Sequence, residues 1–321
     1  MTRKKVLAGL MCLVAAGGLS ACAQEDGEYP SRKVELLVAY GAGSGNDVVA
    51  RAFAESFEQI TGANVLVVNR PGAGGIVGST EAMLKEADGY NLYFAPVAAF
   101  TSAQLLQDVE FSPQDFETVV GLSQTPFAIS VKADSPITDL TQLDALGGSA
   151  SYATLGVGHA SQALLGMILK QQGVTGRAVP FDGSGNVIQS TVSGETDFAV
   201  TDVSTAMSRA KGGETRILAV TGEKRLEALP DVPTVEELGL PGSEYLGSQA
   251  LAVPDGMDPQ RLEELTKVAE QAINSESYQE FLEANHYELP QIEGPDWMNV
   301  YVPEEQNRLS ADYAELGIEK R

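Results

Sequence analysis

The stretch "LLVAYGAGSGNDVVARAF", residues 36–53, decides how the chain is read. A largely apolar run, "VELLVAY" (34–40), ends in three alternating glycines, Gly41, Gly43 and Gly45. The following "NDVVARAFAESFEQI" carries Val49, Phe53, Phe57 and Ile60 near helical spacing, with Asn46 as the expected N-cap. Strand, glycine turn and helix follow each other without a break. Such a turn bares backbone N–H groups and the positive end of a helix dipole, which suit a phosphate or a free carboxylate. The neighbouring sequence has to choose between them.

The same grammar recurs outward from this point. "NVLVVN" (64–69) runs into "RPGAGG" (70–75), the helix pattern "IVGSTEAMLKEA" and a third strand, "NLYFAP" (91–96). This alternation argues for an α/β fold with a parallel sheet and right-handed crossovers. "PQDFETVVGLSQTP" reads as a connection to a second block. That block begins with the strand "FAISVK" (127–132) and a short helix capped by Thr138. "ASYAT" then leads into "LGVGHASQALLGMILKQQG", "RAVPF" into "DGSGNVIQSTVSG", and "DFAVT" into "DVSTAMSRAKGG", before "TRILAVTG" closes the set. A Pro/Gly-rich connection (229–247) and the strand "SQALAVP" precede a helical C-terminus that carries the single tryptophan, Trp297. The terminal helices are expected to return to the first sheet. The expected division is therefore a discontinuous first lobe, 31–124 and 247–321, with a second lobe at 125–246.

The N-terminus points to export. "MTRKK" is cationic, "VLAGLMCLVAAGG" is apolar but short for a bilayer span, and "LSAC" (19–22) resembles the lipobox of bacterial lipoproteins. Residues 1–21 read as a signal peptide, Cys22 as the lipidated first residue and 22–30 as a polar tether. The expected location is the outer face of a bacterial membrane, held by lipid. Cys12 and Cys22 are the only two cysteines, so the folded body has no disulfide, thiol nucleophile or cysteine-based zinc site. With 321 residues and 43% hydrophobic content, two cores are affordable. The formal charge is −23, and loss of the leader removes only Arg3, Lys4 and Lys5, making it more negative. That field repels nucleic acid and anionic lipid. Any anion site must be local, built from backbone dipoles.

Four turns qualify: 41–47, 156–161, 182–186 and 201–205. Each holds small hydroxyl or amide side chains, among them Ser44, Asn46, Ser161, Ser184, Asn186, Thr201, Ser204 and Thr205. A dinucleotide loop needs G-x-G-x-x-G and an acid ending the second strand; here Asn46 stands at the third glycine position and Asn69 ends the strand. No Walker lysine is present. Arg70 in "RPGAGG" reads as a tie between loops. Catalysis by His159 with Ser184, Asp182 or Asp202 lacks a G-x-S-x-G elbow, and a metal site lacks ligand spacing. His286 reads as a surface residue between helices.

"YPSRKVELLVAYGAGSGNDVVARAFA", "VVNRPGAGGIVGSTEAMLKEADGYNLYF", "GVGHASQALL", "VPFDGSGNVIQSTVSGETDFAV" and "RILAVTGEKRLEALPDVPTVEELGLPG" occur in that order. Together they resemble the substrate-binding proteins of tripartite tricarboxylate transporters, the Bug family of extracytoplasmic solute receptors. The resemblance implies a type II periplasmic-binding-protein fold, two α/β lobes joined by a hinge, with a small carboxylate (dicarboxylate, monocarboxylate or amino acid) in the cleft. It implies delivery to one large and one small integral membrane protein, no cofactor, no metal, no catalysis, and a monomer. Presentation of the ligand to a membrane histidine kinase is the alternative, and an exported hydrolase a distant third. Carried onto this chain, the ligand loops fall on Tyr40, Gly43, Ser44, Gly45, Asn46 and Asp47. They continue on Gly158, His159, Ala160 and Ser161, on Gly183, Ser184 and Gly185, and on Asp202. Departures from the family pattern are Ala42, Asn46, His159, Asp182 and the missing aromatic pair near Ser248 and Gln249. An acidic residue at 182 or 202 would disfavour a multiply charged tricarboxylate.

Overall fold

The computed structural model describes residues 29–320 except 142, 144, 145, 243 and 293. Cys12 and Cys22, and with them the leader and the anchor, lie outside the described residues. The first glycine-punctuated block forms β1 (Val34–Val38), α1 (Gly45–Thr61), β2 (Val65–Asn69), α2 (Ile76–Met83) and β3 (Asn91–Pro96). Two short helices follow, α3 (Val97–Phe100) and α4 (Ser102–Leu106). The next strand, β4 (Phe116–Lys132), runs 17 residues. The second block is β5 (Ser149–Thr154), α5 (Ala160–Gln171), β6 (Thr175–Pro180), α6 (Ser184–Ser193), β7 (Phe198–Asp202), α7 (Val203–Lys211) and β8 (Thr215–Val220). β9 (Leu246–Pro254) returns to the first block, followed by α8 (Pro259–Ile273), α9 (Glu276–Asn285), α10 (Gly294–Asp296) and α11 (Val302–Leu316).

Two sequence expectations change here. "FETVVGLSQTP" is not a connection; it is the first part of β4, continuous with "FAISVK". Register shifts between Thr118 and Val120 and between Gly121 and Ser123 absorb the irregularity that Gly121 introduces. Where a helix was expected from Thr138, the described residues 138–141 are irregular or in a turn, and Leu146 is in a 3-10 conformation.

Strand order is β2–β1–β3–β9–β4–β7–β5–β6, with β8 also on β4. β1, β2 and β3 are mutually parallel, while β9 is antiparallel to both β3 and β4. The first three strands therefore point along β4 toward Pro126. β7 is antiparallel to β4 and parallel to β5, which is parallel to β6, so these three point back toward Phe127. The carboxyl ends of both parallel sets thus meet at the middle of β4, and the register is explicit. Pro96 pairs with Gln249, Gln249 with Ser123, and Asp202 with Phe127. This is a two-lobe α/β fold whose lobes are crossed by β4 and linked again by β9.

Each half has its own core. In the first, Leu36, Val38, Phe53, Phe57 and Leu122 pack with Leu265 of α8 and Tyr278 of α9. The other sheet face holds Tyr93, Phe100, Phe116 and Trp297, whose indole N–H donates to Ser248 Oγ at 2.9 Å. Trp297 begins a five-residue π-helical segment, Trp297–Tyr301. Pro303 accounts for it, because it brings no N–H to the carbonyl four residues earlier. The second core gathers Phe127, Ile129, Leu164, Leu165, Ile168 and Phe198. α11 starts at Val302 in the first-lobe cluster, but Leu309 and Tyr313 further along it belong to this second core. The terminal helix therefore spans both lobes rather than covering the first alone, where 247–321 as a whole was expected.

Candidate functional site

In an open α/β sheet the ligand crevice lies beyond the carboxyl ends of the parallel strands. Here both lobes turn those ends, and the helix N-termini that follow them, to the same place.

At the end of β1 the chain is held from within. Gly43 takes φ +79°, a left-handed conformation that glycine adopts without penalty. Its N–H donates to Asp47 Oδ2 at 2.8 Å, while Asn69 Nδ2 donates to Asp47 Oδ1 at 2.8 Å and Arg51 Nε to Oδ2 at 2.9 Å. Burial opposes the Asp47 charge, but the hydrogen bonds from Arg51, Gly43 and Asn69 outweigh it and hold the carboxyl below its usual range. Asp47 is buried and fully engaged, pinning the loop to strand β2. The N-cap of α1 is Ser44, whose Oγ accepts from the Asp47 N–H at 3.3 Å, and not the expected Asn46. Gly45 and Asn46 occupy the first helical positions, and their N–H groups have no partner among the described residues. Tyr40 Oη donates to Gly74 O at 3.1 Å, joining this loop to the second glycine turn. Arg70, from that turn, pairs with Glu81 of α2 at 2.9 Å, so it ties its turn to a helix rather than to another loop.

The second lobe brings three more helix starts. His159 caps α5: its Nδ1 accepts from the Ser161 N–H at 3.1 Å, leaving the first N–H groups of the helix, at His159 and Ala160, open. Ser161 is fully buried, with Oγ accepting from Leu155 N–H at 3.1 Å, so its contact with the histidine is structural. The His159 ring meets Phe127 edge-on at 5.6 Å, and burial pushes its pKa down to about 4. Gly158 has φ +68°, and a Cβ there would collide with Leu106 of α4. Gly183 stands at the N-cap of α6 with φ +80° and no side-chain cap, so Ser184 and Gly185 present bare N–H groups. Asp182 beside it is exposed. Asp202 caps α7, accepting from Thr205 N–H and Thr205 Oγ1, both at 2.9 Å. Both carboxylate oxygens of Asp202 therefore have donors already.

The structure thus gathers the N-termini of α1, α5, α6 and α7 around the midpoint of β4. Asp47 and Ser161, among the expected contact residues, face inward. Sequence reading missed Tyr287, which lies between the two groups. Its Oη is 3.8 Å from where a Cβ on Gly45 would stand, and the Asp202 carboxylate adds to burial in raising its pKa. No local signal marks it. His286, next to it, is a half-buried C-cap of α9 at φ 58° rather than a plain surface residue. Among the described residues no three or more His, Cys, Asp or Glu are placed to hold a metal. None of the described helices is long and apolar enough to cross a membrane.

A sequence-family model described as "Tripartite tricarboxylate transporter family receptor" matches residues 49–317. The chain belongs to that family. The receptor is 27% identical to BugT of Bordetella pertussis over 326 residues, covering 99% of both chains. It also matches the periplasmic binding protein BugD, 26% identical with a TM-score of 0.79, over 91% of this receptor and 100% of BugD. An adipate-bound protein of R. palustris, 24% identical, shares the fold at a TM-score of 0.82, covering 91% of this receptor and all of that chain (100%). The receptor is accordingly an extracytoplasmic solute-binding protein of a tripartite transport system, and its two-lobe architecture is the one the sequence led to expect.

Proposed function

We propose that the solute is a small organic carboxylate held between the lobes by backbone N–H groups and neutral hydroxyls, without an arginine clamp. The observation that carries this reading is the convergence of four helix N-termini on the midpoint of β4. Each supplies N–H donors and about half a positive charge. The nearest arginines to the first loop, Arg51 and Arg70, already have carboxylate partners. The adipate carried by the R. palustris neighbour supports the same ligand class. Asp182 and Asp202 add negative charge at the cleft, which favours a monocarboxylate, a spaced dicarboxylate or a zwitterion over a tricarboxylate.

The receptor acts by capture and closure rather than by chemistry. His159 and Ser161 serve as cap and buried scaffold rather than as base and nucleophile. The monomer would be tethered through lipidated Cys22 and would dock, loaded, on the large and small membrane subunits. Appearance of Cys22→Ala in the soluble fraction tests the anchor.

A thermal-shift panel of citrate, malate, adipate and glutamate tests the ligand class. A ligand at about a hundred times its Kd stabilises the native state by roughly 2.7 kcal/mol, which is easily read as a shift in Tm. We expect a shift with at least one of malate, adipate and glutamate and none with citrate. No shift with any carboxylate overturns the class. A large citrate shift that Asp182→Asn and Asp202→Asn leave unchanged overturns the charge argument alone.

A further inference from the structure

Tyr287 lies at the crossing of the lobes, near Gly45 of the first ligand loop and within electrostatic reach of Asp202 of the second. Its backbone is fixed from three sides. His286 turns the chain through a left-handed conformation, and Tyr287 N–H donates to Leu282 O at 2.9 Å. The next residue, Glu288, exchanges two backbone hydrogen bonds with Gln124, at 2.7 and 2.9 Å, where β4 passes between the lobes. The ring leans on Phe281, centroids 6.2 Å apart, and on the first core. The hydroxyl is therefore delivered to a set position by the hinge itself.

That hydroxyl has no hydrogen-bond partner within the described residues, and it lies 3.8 Å from where a Cβ on Gly45 would stand, at the start of the helix whose first N–H groups are unpartnered. Burial and the neighbouring Asp202 charge keep the phenol protonated, so its O–H is available as a donor. Asp202 itself is satisfied by Thr205. A donor without a protein partner thus stands at the start of α1, next to its first N–H groups and the positive end of its dipole.

We propose that Tyr287 is a specificity-determining contact: its O–H donates to one oxygen of the solute carboxylate while the N–H groups of Gly45 and Asn46 take the other. The inference rests on the carboxylate reading above. Asp202, close enough to act on the phenol electrostatically, then favours a neutral or cationic group next to the bound carboxylate, because a second carboxylate there would meet a fixed negative charge.

Calorimetry of the wild type and Tyr287→Phe with adipate, malate and glutamate tests it. A hydrogen bond to a charged group implies roughly a tenfold or greater loss of affinity in Tyr287→Phe, expressed as faster dissociation. The unliganded melting midpoint should not move, because the hydroxyl bonds nothing in the protein. In protein labelled at tyrosine Cζ, the Tyr287 carbon resonance should shift when the binding probe is added. Wild-type affinity in Tyr287→Phe, or an unmoved Tyr287 resonance on saturation, overturns the contact and leaves the carboxylate reading standing. Failure of all three probes to bind wild type overturns both.

Discussion

His159 holds α5 through an unprotonated nitrogen, so its proton and its capping role compete for one lone pair. Burial keeps its pKa near about 4, against about 6.5 in an unfolded chain. Between those values the unfolded state takes up a proton that the folded state refuses. Stability tied to this ring is therefore complete above about pH 6.5 and is lost as pH falls toward about 4. The half-buried ring makes the expected loss about 1–3 kcal/mol. Asp47 also has a depressed pKa and loses its contribution in the same direction, but lower on the scale: its stabilisation is complete above the unfolded value of about 3.9 and is lost only as pH falls below it. The interval from about pH 6.5 to 5 lies above the Asp47 range. Glu305, raised to about 7 by burial, and His286 also titrate there, so the difference between wild type and a His159 variant is what reports the ring. Urea denaturation across that interval should show His159→Asn, which keeps a capping acceptor without a titrating ring, losing at least about 1 kcal/mol less than wild type. Parallel pH profiles for the two proteins would remove the titration argument.

Helix caps separate the turns that hold themselves from those left for a ligand. Ser44, His159 and Asp202 each satisfy one N–H of the helix they start, whereas Gly183 satisfies none by side chain. Ser44→Ala should cost about 1 kcal/mol in unfolding free energy, and Asn46→Ala should stay within about 0.5 kcal/mol. A larger loss at Asn46 than at Ser44 in equilibrium denaturation would return the cap to Asn46. The strand–glycine–helix units were legible because periodicity and glycine turns are local, and the loops at 40–47, 158–161, 183–185 and 202 came with them. The cap slipped by two residues because Ser44 and Asn46 are both good capping types and only φ, ψ tells them apart. β4 was hidden because Gly121 and Pro126 look like breakers in isolation. In the fold, shifted register accommodates Gly121, while Pro126 pairs across from Leu246 on β9. Tyr287 could not be read at all, since the groups that give it meaning, Gly45, Gln124 and Asp202, are remote in sequence.

At the scale of the whole molecule, the same ambiguity decided where the last helix goes. Leu309 and Tyr313 announce an apolar face, but nothing local says which lobe it covers; in the fold they join α5, so α11 adds a packed link between lobes to the two strand crossings. Under the proposed capture by closure, those links leave the middle of β4, at the carboxyl ends of both parallel strand sets, as the place to bend. Around this neutral-donor cleft lies a body of net charge −23. The local dipoles act within a turn or so of the helix ends, whereas the net charge acts on a ligand still in solution. An anionic solute is thus attracted only once it has entered and is repelled on approach. Salt screens the second effect at distances beyond about 10 Å and leaves the first nearly intact. Stopped-flow association of a dianion such as adipate should therefore speed up by roughly a few-fold between about 20 and about 300 mM NaCl, with the dissociation rate almost constant. Association of zwitterionic glycine-like solutes should be flat over the same range. An adipate association rate that falls with salt would mean that the cleft mouth presents net positive charge, and the backbone-dipole account of this acidic receptor would have to give way to a side-chain cation.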